Sequence, residues 1–137
     1  MWTYVHDSGF MVSPEGVKLF PPGYAGKGTG KNNPLMQSVP FVGPLPCGFY
    51  TATQLIQNDP DTGQYTIILT PDAENEMYGR DDFRCHGENP AHPGESSDGC
   101  IVQILPNRME FWESPDHRLQ VIASVPVNPV SDVELGM

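Results

Sequence analysis

The chain has 137 residues and carries 17 acidic against 7 basic side chains, a formal net charge of −10. That length fits one domain with its own core, and the acidity repels phosphate backbones and anionic lipid alike, so nucleic acid and membrane surfaces are poor partners. No apolar run approaches the ~20 residues of a membrane-spanning helix, and stable membrane insertion is not expected.

The N-terminus, MWTYVHDSGF, has neither the basic region nor the apolar core of a signal peptide. We therefore expect synthesis in the cytoplasm. A substrate outside that compartment would require a delivery route other than general secretion, or a leader already removed.

Short strands joined by turns dominate the predicted secondary structure, since 14 glycines and 15 prolines are spread along the chain. Apolar alternation predicts strands, in chain order, at residues 2–4, 10–12, 17–20, 49–56, 65–69, 83–86, 100–105 and 119–125. The Asn-Asp-Pro-Asp-Thr-Gly turn at 58–63 joins two of them in a hairpin. Residues 21–34 form a glycine-rich loop, ordered or flexible.

One short helix is predicted after the seventh strand. Pro106 suits its first turn and Pro115 lies beyond its end. Met109, Trp112 and Arg108 are expected to share a face of this helix. Residues 126–137 are predicted to be a loose tail.

The stretch from His86 to Cys100 carries the chemistry. An imidazole at the end of one predicted strand, a turn-rich connection at 87–99 and a thiol behind Gly99 describe a base and a nucleophile brought into contact. A free thiol has a pKa near ~8.5, so an adjacent imidazole must take its proton or stabilise the thiolate. His86 is the expected base, with a backbone carbonyl near His86 or Gly87 fixing its tautomer.

Gly99 leaves room for a substrate carbonyl to approach the backbone. The amides of Gly99 and Cys100 are therefore expected to bind the developing oxyanion. Ser96 or Ser97 is expected to form hydrogen bonds inside the loop.

Three cysteines, Cys47, Cys85 and Cys100, cannot all pair within one chain. A Cys47–Cys85 bridge stays open as an alternative. A zinc site is a weak alternative, because adjacent Cys85 and His86 would point to opposite faces of a strand and no CxxC or HxxxH spacing is present. We expect neither a metal nor an organic cofactor.

Several motifs in the right order resemble the L,D-transpeptidases, and most closely their smaller branch of type VI secretion toxins. These motifs are Tyr24-x-Gly26, Gly28, Asn32-Asn33-Pro34, Gly43-Pro44-x-Pro46-x-Gly48-x-Tyr50, Gly79-Arg80-x-x-Phe83, His86-Gly87, Ser97-x-Gly99-Cys100-Ile101 and Arg108. The resemblance covers roughly residues 2–125. It implies a mainly β, compact single-domain fold over residues 1–125, an L,D-transpeptidase-like β-sandwich or barrel with one or two short helices.

The resemblance also implies the reaction. Cys100 would attack the bond before the terminal D-alanine of a peptidoglycan tetrapeptide stem, and the thioester would pass to water, as in an L,D-carboxypeptidase, or to an amine, as in an L,D-transpeptidase. The chain would be an antibacterial toxin acting in the periplasm of a target bacterium, neutralised by a cognate immunity protein. Its catalytic residues would be Cys100, His86, Gly99 and Ser97, and its substrate-binding residues Tyr24, Arg80, Gly87, Asp98 and Arg108.

Two positions depart from the wider family pattern. Asp98 stands where histidine is common, and Val102 where arginine is common. The substrate carboxylate therefore needs another cation, and Arg80, Arg84 and Arg108 are the candidates.

One alternative function stays open, and the order of residues along the chain disfavours a second. A non-catalytic module that binds peptidoglycan or a protein would keep the fold without turnover. An NlpC/P60-type amidase expects cysteine before histidine along the chain, whereas here His86 precedes Cys100.

Overall fold

The computed structural model describes residues 1–126, and all but the first residue of the predicted tail lie outside them. Eight strands and one α-helix follow in chain order: β1 Trp2–Val5, β2 Met11–Val12, β3 Tyr24–Ala25, β4 Gly48–Asp59, β5 Gly63–Pro71, β6 Phe83–His86, β7 Ile101–Val102, α1 Leu105–Glu113 and β8 Arg118–Ile122. Two 3₁₀ turns, Gly28–Gly30 and Pro34–Met36, order the glycine-rich loop after β3. The mainly β prediction is confirmed.

All eight strands belong to one sheet in the order β2-β1-β8-β4-β5-β6-β7-β3. Its two end strands approach each other, because Gly23 N–H, next to β3, donates to the Gly9 carbonyl, next to β2, at 2.8 Å. A Cβ at Gly9 would lie 1.9 Å from the Gly23 oxygen, so this contact requires glycine. The sheet thus curls back on itself around the core, consistent with the predicted sandwich.

The predicted hairpin is present and longer than expected. Strands β4 and β5 pair from Tyr50 opposite Pro71 out to Asp59 opposite Gly63. The tip is an Asx turn, in which Asp59 Oδ1 accepts the amides of Asp61 at 2.8 Å and Thr62 at 2.9 Å. Polar residues therefore continue the strand pairing beyond the apolar stretch that predicted it.

Helix α1 packs with Asn107, Arg108 and Phe111 inward. Phe111 meets the Trp2 ring edge to face at a centroid distance of 5.3 Å. Met109, which was expected to share a face with Arg108 and Trp112, lies at the outer edge of the inward face and is 37% exposed. Residues 107, 108 and 111 carry the i, i+1, i+4 spacing of the inward face.

Several predicted strands are shorter than expected, and the one predicted at 119–125 ends at Ile122. Residues 17–20 contribute only an isolated bridge between Lys18 and Val12. The strand predicted at 100–105 is β7, which ends at Val102, and helix α1 already begins at Leu105.

Candidate active site

Strands β6 and β7 bring His86 and Cys100 to one face of the sheet. The strands are parallel neighbours, with Cys85 opposite Ile101 and His86 opposite Val102. Because side chains alternate along a strand, His86 projects away from Cys85, which is fully buried in the core. Cys100, just before Ile101, projects to the same side as His86. The predicted pair thus shares one face.

Both side chains open into one cavity of about 580 Å³, here called the nucleophile cavity. It is lined by Pro40, Phe41, Asp61, Thr62, Gly79, Arg80, Asp81, Asp82, Phe83, Arg84, His86, Ser96, Asp98 and Cys100. Cys100 is partly exposed there. A volume of this size accommodates a short peptide segment.

His86 is held as a neutral base. Its Nδ1 lies 2.8 Å from the Gly87 carbonyl oxygen, so Nδ1–H donates and Nε2 keeps its lone pair. Burial lowers the pKa of His86, an effect that the Gly87 bond opposes and the nearby Arg108 charge reinforces. The ring is therefore uncharged at neutral pH. The residue that orients it is Gly87, through its carbonyl.

Cys100 rests as a neutral thiol. Its Sγ accepts the Arg84 amide N–H at 3.3 Å, and the thiol points to the Asp82 carbonyl at 3.9 Å. Burial raises the pKa of Cys100 to about 11. Within residues 1–126 no hydrogen bond joins the sulfur to His86. The resting pair is therefore a neutral thiol and a neutral imidazole, with no preformed thiolate.

Ser97 fixes the turn that presents Cys100. It is fully buried, its hydroxyl donates to the Cys100 carbonyl at 2.6 Å, and it accepts the amides of Gly26 at 2.9 Å and Gly99 at 3.0 Å. These contacts confirm the predicted hydrogen bonds inside the loop. They make Ser97 a positioning residue, since it faces the backbone and does not line the nucleophile cavity.

The predicted oxyanion role of Gly99 does not fit its contacts. Its amide is already bonded to Ser97, so it is not free to receive a substrate oxygen. Glycine is required here for another reason. Its φ is +131°, and a Cβ would lie 2.5 Å from Arg80 Nη2.

The guanidinium groups of Arg80 and Arg108 donate to backbone carbonyls, and these contacts do not fit their predicted substrate-binding roles. Arg80 donates to the carbonyls of Gln37, Gly43, Pro44 and Asp98 at 2.6–3.1 Å. Arg108 donates to those of Gln64, Tyr65 and Gln103 at 2.5–3.0 Å. Both are at least nine-tenths buried. Guanidinium groups committed in this way have few donors left for a ligand carboxylate.

Arg84 is the remaining cation in the nucleophile cavity. One nitrogen contacts Asp59 Oδ2 at 2.5 Å, and two others contact the exposed Asp82 carboxylate at 3.3 Å. The Asp82 contacts are long, and Asp82 is 74% exposed. Breaking them therefore costs little free energy, because exposed ion pairs contribute little.

A second cavity of about 410 Å³ adjoins the first and shares His86 with it. This acidic cavity is lined by Asp59, Pro60, Asp61, Thr62, Gly63, His86, Gly87, Glu88, Asn89, Pro90, His92, Glu95, Ser96 and Asp98. No lysine or arginine is among its lining residues. The hairpin tip forms one wall and the connection after β6 forms the other.

The other predicted binding residues surround this cavity. Gly87 lines it, and a Cβ there would lie 2.9 Å from Arg108 Nη1. Asp98 lies at its rim and pairs with Lys27 at 2.7 Å. Tyr24 lies behind the wall, where its hydroxyl donates to Glu88 and accepts the Ser96 amide at 3.0 Å. Tyr24 thus supports the wall and does not line the cavity.

Sequence reasoning missed the hairpin tip as part of the site. The sequence indicates Asp59, Asp61 and Thr62 only as turn residues, because nothing in the sequence links them to His86, which is more than twenty residues away along the chain. Phe41 was missed as well. It is 69% exposed at the edge of the nucleophile cavity, with a left-handed φ of 63°. Such backbone conformations in non-glycine residues are a known mark of functional sites.

The family model of the Tlde1 domain matches residues 21–125. The chain belongs to the Tlde1 family. This family comprises type VI secretion effectors that are L,D-transpeptidase-like toxins, which confirms the suspected resemblance. The matched region includes β3 to β8 and every residue that lines the two cavities. No curated protein matched the chain.

Within residues 1–126, no three His, Cys, Asp or Glu side chains are grouped so that they could hold a metal ion. All three cysteines are free, with Cys85 in the core and Cys47 Sγ lying 3.8 Å from His6 Nδ1. No helix among the described residues is long and apolar enough to span a membrane.

Proposed function

We propose that this Tlde1 protein is a cysteine enzyme that cleaves the bond before the terminal D-alanine of peptidoglycan tetrapeptide stems. It acts as an L,D-carboxypeptidase when water accepts the acyl group and as an L,D-transpeptidase when an amine does. Family membership makes the protein a peptidoglycan-targeting toxin. The observation that carries the finer proposal is the placement of Cys100 and neutral His86 on one sheet face, in one cavity.

The first half of the reaction forms a thioester. As the scissile carbonyl enters the cavity, the Cys100 thiol turns from the Asp82 carbonyl and passes its proton to His86 Nε2. The sulfur attacks, the C–N bond breaks, and His86 returns the proton to the leaving D-alanine amine. The Arg84 amide, which already donates to Sγ, stabilises negative charge on sulfur during the transfer.

Arg84 is proposed to bind the carboxylate of the terminal D-alanine. The substrate carboxylate replaces Asp82 as a partner of the Arg84 guanidinium. The ion pair between Arg84 and Asp59 keeps the Arg84 side chain oriented. Arg80 and Arg108 are committed to backbone carbonyls, so Arg84 is the cation in the nucleophile cavity best placed for this task.

The setting is also a proposal. The protein is delivered by type VI secretion into the periplasm of a target cell, and is neutralised in its producer by an immunity protein. Expression in a sensitive bacterium tests this setting. Lysis should follow when the chain is directed to the periplasm, and it should not follow with Cys100→Ala.

Mass spectrometry of tetrapeptide muropeptides tests the activity. Wild-type protein should release D-alanine, Cys100→Ala should release none, and Cys47→Ala, which removes a thiol outside the site, should behave as wild type. Full release by Cys100→Ala would remove the proposal. The rival, a binding module without turnover, predicts muropeptide binding and no D-alanine from any variant.

A further inference from the structure

Phe41 presents a large apolar side chain at the edge of the nucleophile cavity. A single exposed apolar residue is ordinary at a protein surface. Phe41 differs because it lines the same cavity as Cys100, is 69% exposed there and has a left-handed φ of 63°. Both features cost stability, since the ring stays in water and the backbone is held outside its preferred regions. This combination indicates a ligand that covers the ring.

The chain beside Phe41 is held in place by other parts of the fold. The Val42 carbonyl accepts the Lys27 amide at 2.9 Å. The Gly43 carbonyl accepts Arg80 Nη2 at 3.0 Å. Because a strained conformation persists only where its surroundings enforce it, these bonds explain how Phe41 keeps its left-handed backbone. The ring is therefore displayed on a loop of fixed shape.

Phe41 lies in the part of the nucleophile cavity that the acidic cavity does not share. The residues common to both cavities are Asp61, Thr62, His86, Ser96 and Asp98. Phe41 and Pro40 line the nucleophile cavity alone. In the proposed reaction the departing D-alanine lies beside His86, which returns a proton to its amine. It also lies beside Arg84, whose guanidinium is paired with Asp59 of the hairpin tip. The acyl part of the stem then extends from the sulfur towards Phe41.

We propose that Phe41 is a specificity residue that packs against the methylene chain of the third residue of the stem. This inference rests on the proposed function. The third residue is a diamino acid, and it supplies the acyl group that is bonded to Cys100 in the thioester. Its side chain therefore begins next to the sulfur, in the cavity that Phe41 lines. Its methylene groups are apolar, and their burial against the ring removes both surfaces from water.

Two synthetic tetrapeptides test this contact. One has L-lysine as its third residue, and the other has L-2,4-diaminobutyrate, which keeps the ammonium group and lacks two methylene groups. Release of D-alanine, followed by mass spectrometry, gives kcat/KM for each peptide. Wild-type protein should favour the lysine peptide about tenfold. Phe41→Asn should reduce this preference to roughly twofold or less, whereas Phe41→Leu, which keeps an apolar side chain, should retain most of it.

Urea unfolding separates this role from a structural one. Asparagine tolerates the left-handed region better than phenylalanine does. Phe41→Asn should therefore unfold at the same urea concentration as wild type or at a higher one. The matched control is Tyr78→Asn. Tyr78 is also an exposed aromatic residue with a left-handed φ, 55°, but it lines neither cavity, so this variant should keep the wild-type preference.

Several results would overturn the inference while the proposed hydrolysis stands. These are equal kcat/KM values for the two peptides in wild type, a preference that survives in Phe41→Asn, and a preference lost together with a lower urea midpoint. Cleavage of tetrapeptide muropeptides but of neither synthetic peptide would also contradict it, because recognition would then depend on the polar end of the third residue. Absence of any D-alanine release from muropeptides by wild-type protein would overturn the proposed function and this inference together.

Discussion

The backbone N–H of Arg84 donates to Sγ of Cys100 at 3.3 Å, and the Arg84 side chain extends into the same cavity. One residue thus faces the nucleophile with its amide and the expected position of the substrate carboxylate with its guanidinium. Parallel pairing of β6 and β7 produces this arrangement, because it places residue 84 beside residue 100.

Arg84→Gln should therefore weaken binding of substrates that end in a free carboxylate. We expect KM for the tetrapeptide to rise about tenfold. A tetrapeptide whose terminal D-alanine is amidated should show little change, since it has no carboxylate to lose. Equal effects on both substrates would assign Arg84 a purely structural role.

The rate of D-alanine release should fall at low pH only, where His86 becomes protonated. In the proposed mechanism the neutral imidazole of His86 is the base, and burial lowers the pKa of His86 from its ordinary 6.5. The rate of D-alanine release should rise with pH through a value below 6.5 and then stay level up to about pH 9. A rate that falls between about pH 7 and pH 8 would point instead to a preformed thiolate–imidazolium pair.

Cys100 should be slow to alkylate in the resting protein. Its pKa is raised by burial from 9.0 to about 11, which leaves roughly 100-fold less thiolate at neutral pH. Peptide mass spectrometry after iodoacetamide treatment at neutral pH measures the rate at this thiol. A rate faster than that of Cys100 in the denatured chain would show that the resting sulfur is ionised.

Ser97→Ala should destabilise the turn before Cys100. The change removes one donated and two accepted hydrogen bonds and leaves buried backbone groups unpaired. We expect the free energy of unfolding to fall by about 2–3 kcal/mol, with a loss of activity. Urea unfolding measures this change, and Ser124→Ala, at an exposed position, should stay within about 0.5 kcal/mol of wild type.

Acid should destabilise the protein in part through Asp59. Amides of Thr62 and Asp61 lower the pKa of Asp59 from 3.8 to about 2, although burial opposes the shift. A depressed pKa gives stability that is present above 3.8 and lost as pH falls towards 2. In Asp59→Asn, the free energy of unfolding should depend less steeply on pH across this window. An unchanged slope would contradict the assignment.

The sequence predicted most strands because alternation and turn residues are local signals. The β4–β5 hairpin is the clearest case, since its apolar strands flank a strong turn. Closure of the sheet was not predictable in the same way. It depends on Gly9 meeting Gly23, a contact between loops whose approach follows from the order of all eight strands.

Within the site, sequence reasoning identified the residues more reliably than their roles. His86 and Cys100 share a face because β6 and β7 are neighbours, as the motif implied. Arg80 appeared in that motif as a candidate substrate cation, yet a motif does not show whether a guanidinium faces carbonyls or solvent. The acidic cavity could not be predicted without the strand order, because the hairpin tip reaches the cavity only through the pairing of β5 with β6.

The central claim is that Cys100 forms a thioester with the stem peptide, using His86 as base. Intact-protein mass spectrometry after acid quenching of a reaction with tetrapeptide muropeptide tests it most directly. A mass increase equal to the acyl group without its D-alanine, located on Cys100 and absent in Cys100→Ala, is the predicted result. An adduct on Cys47 or Cys85, or D-alanine release that continues in Cys100→Ala, would contradict it.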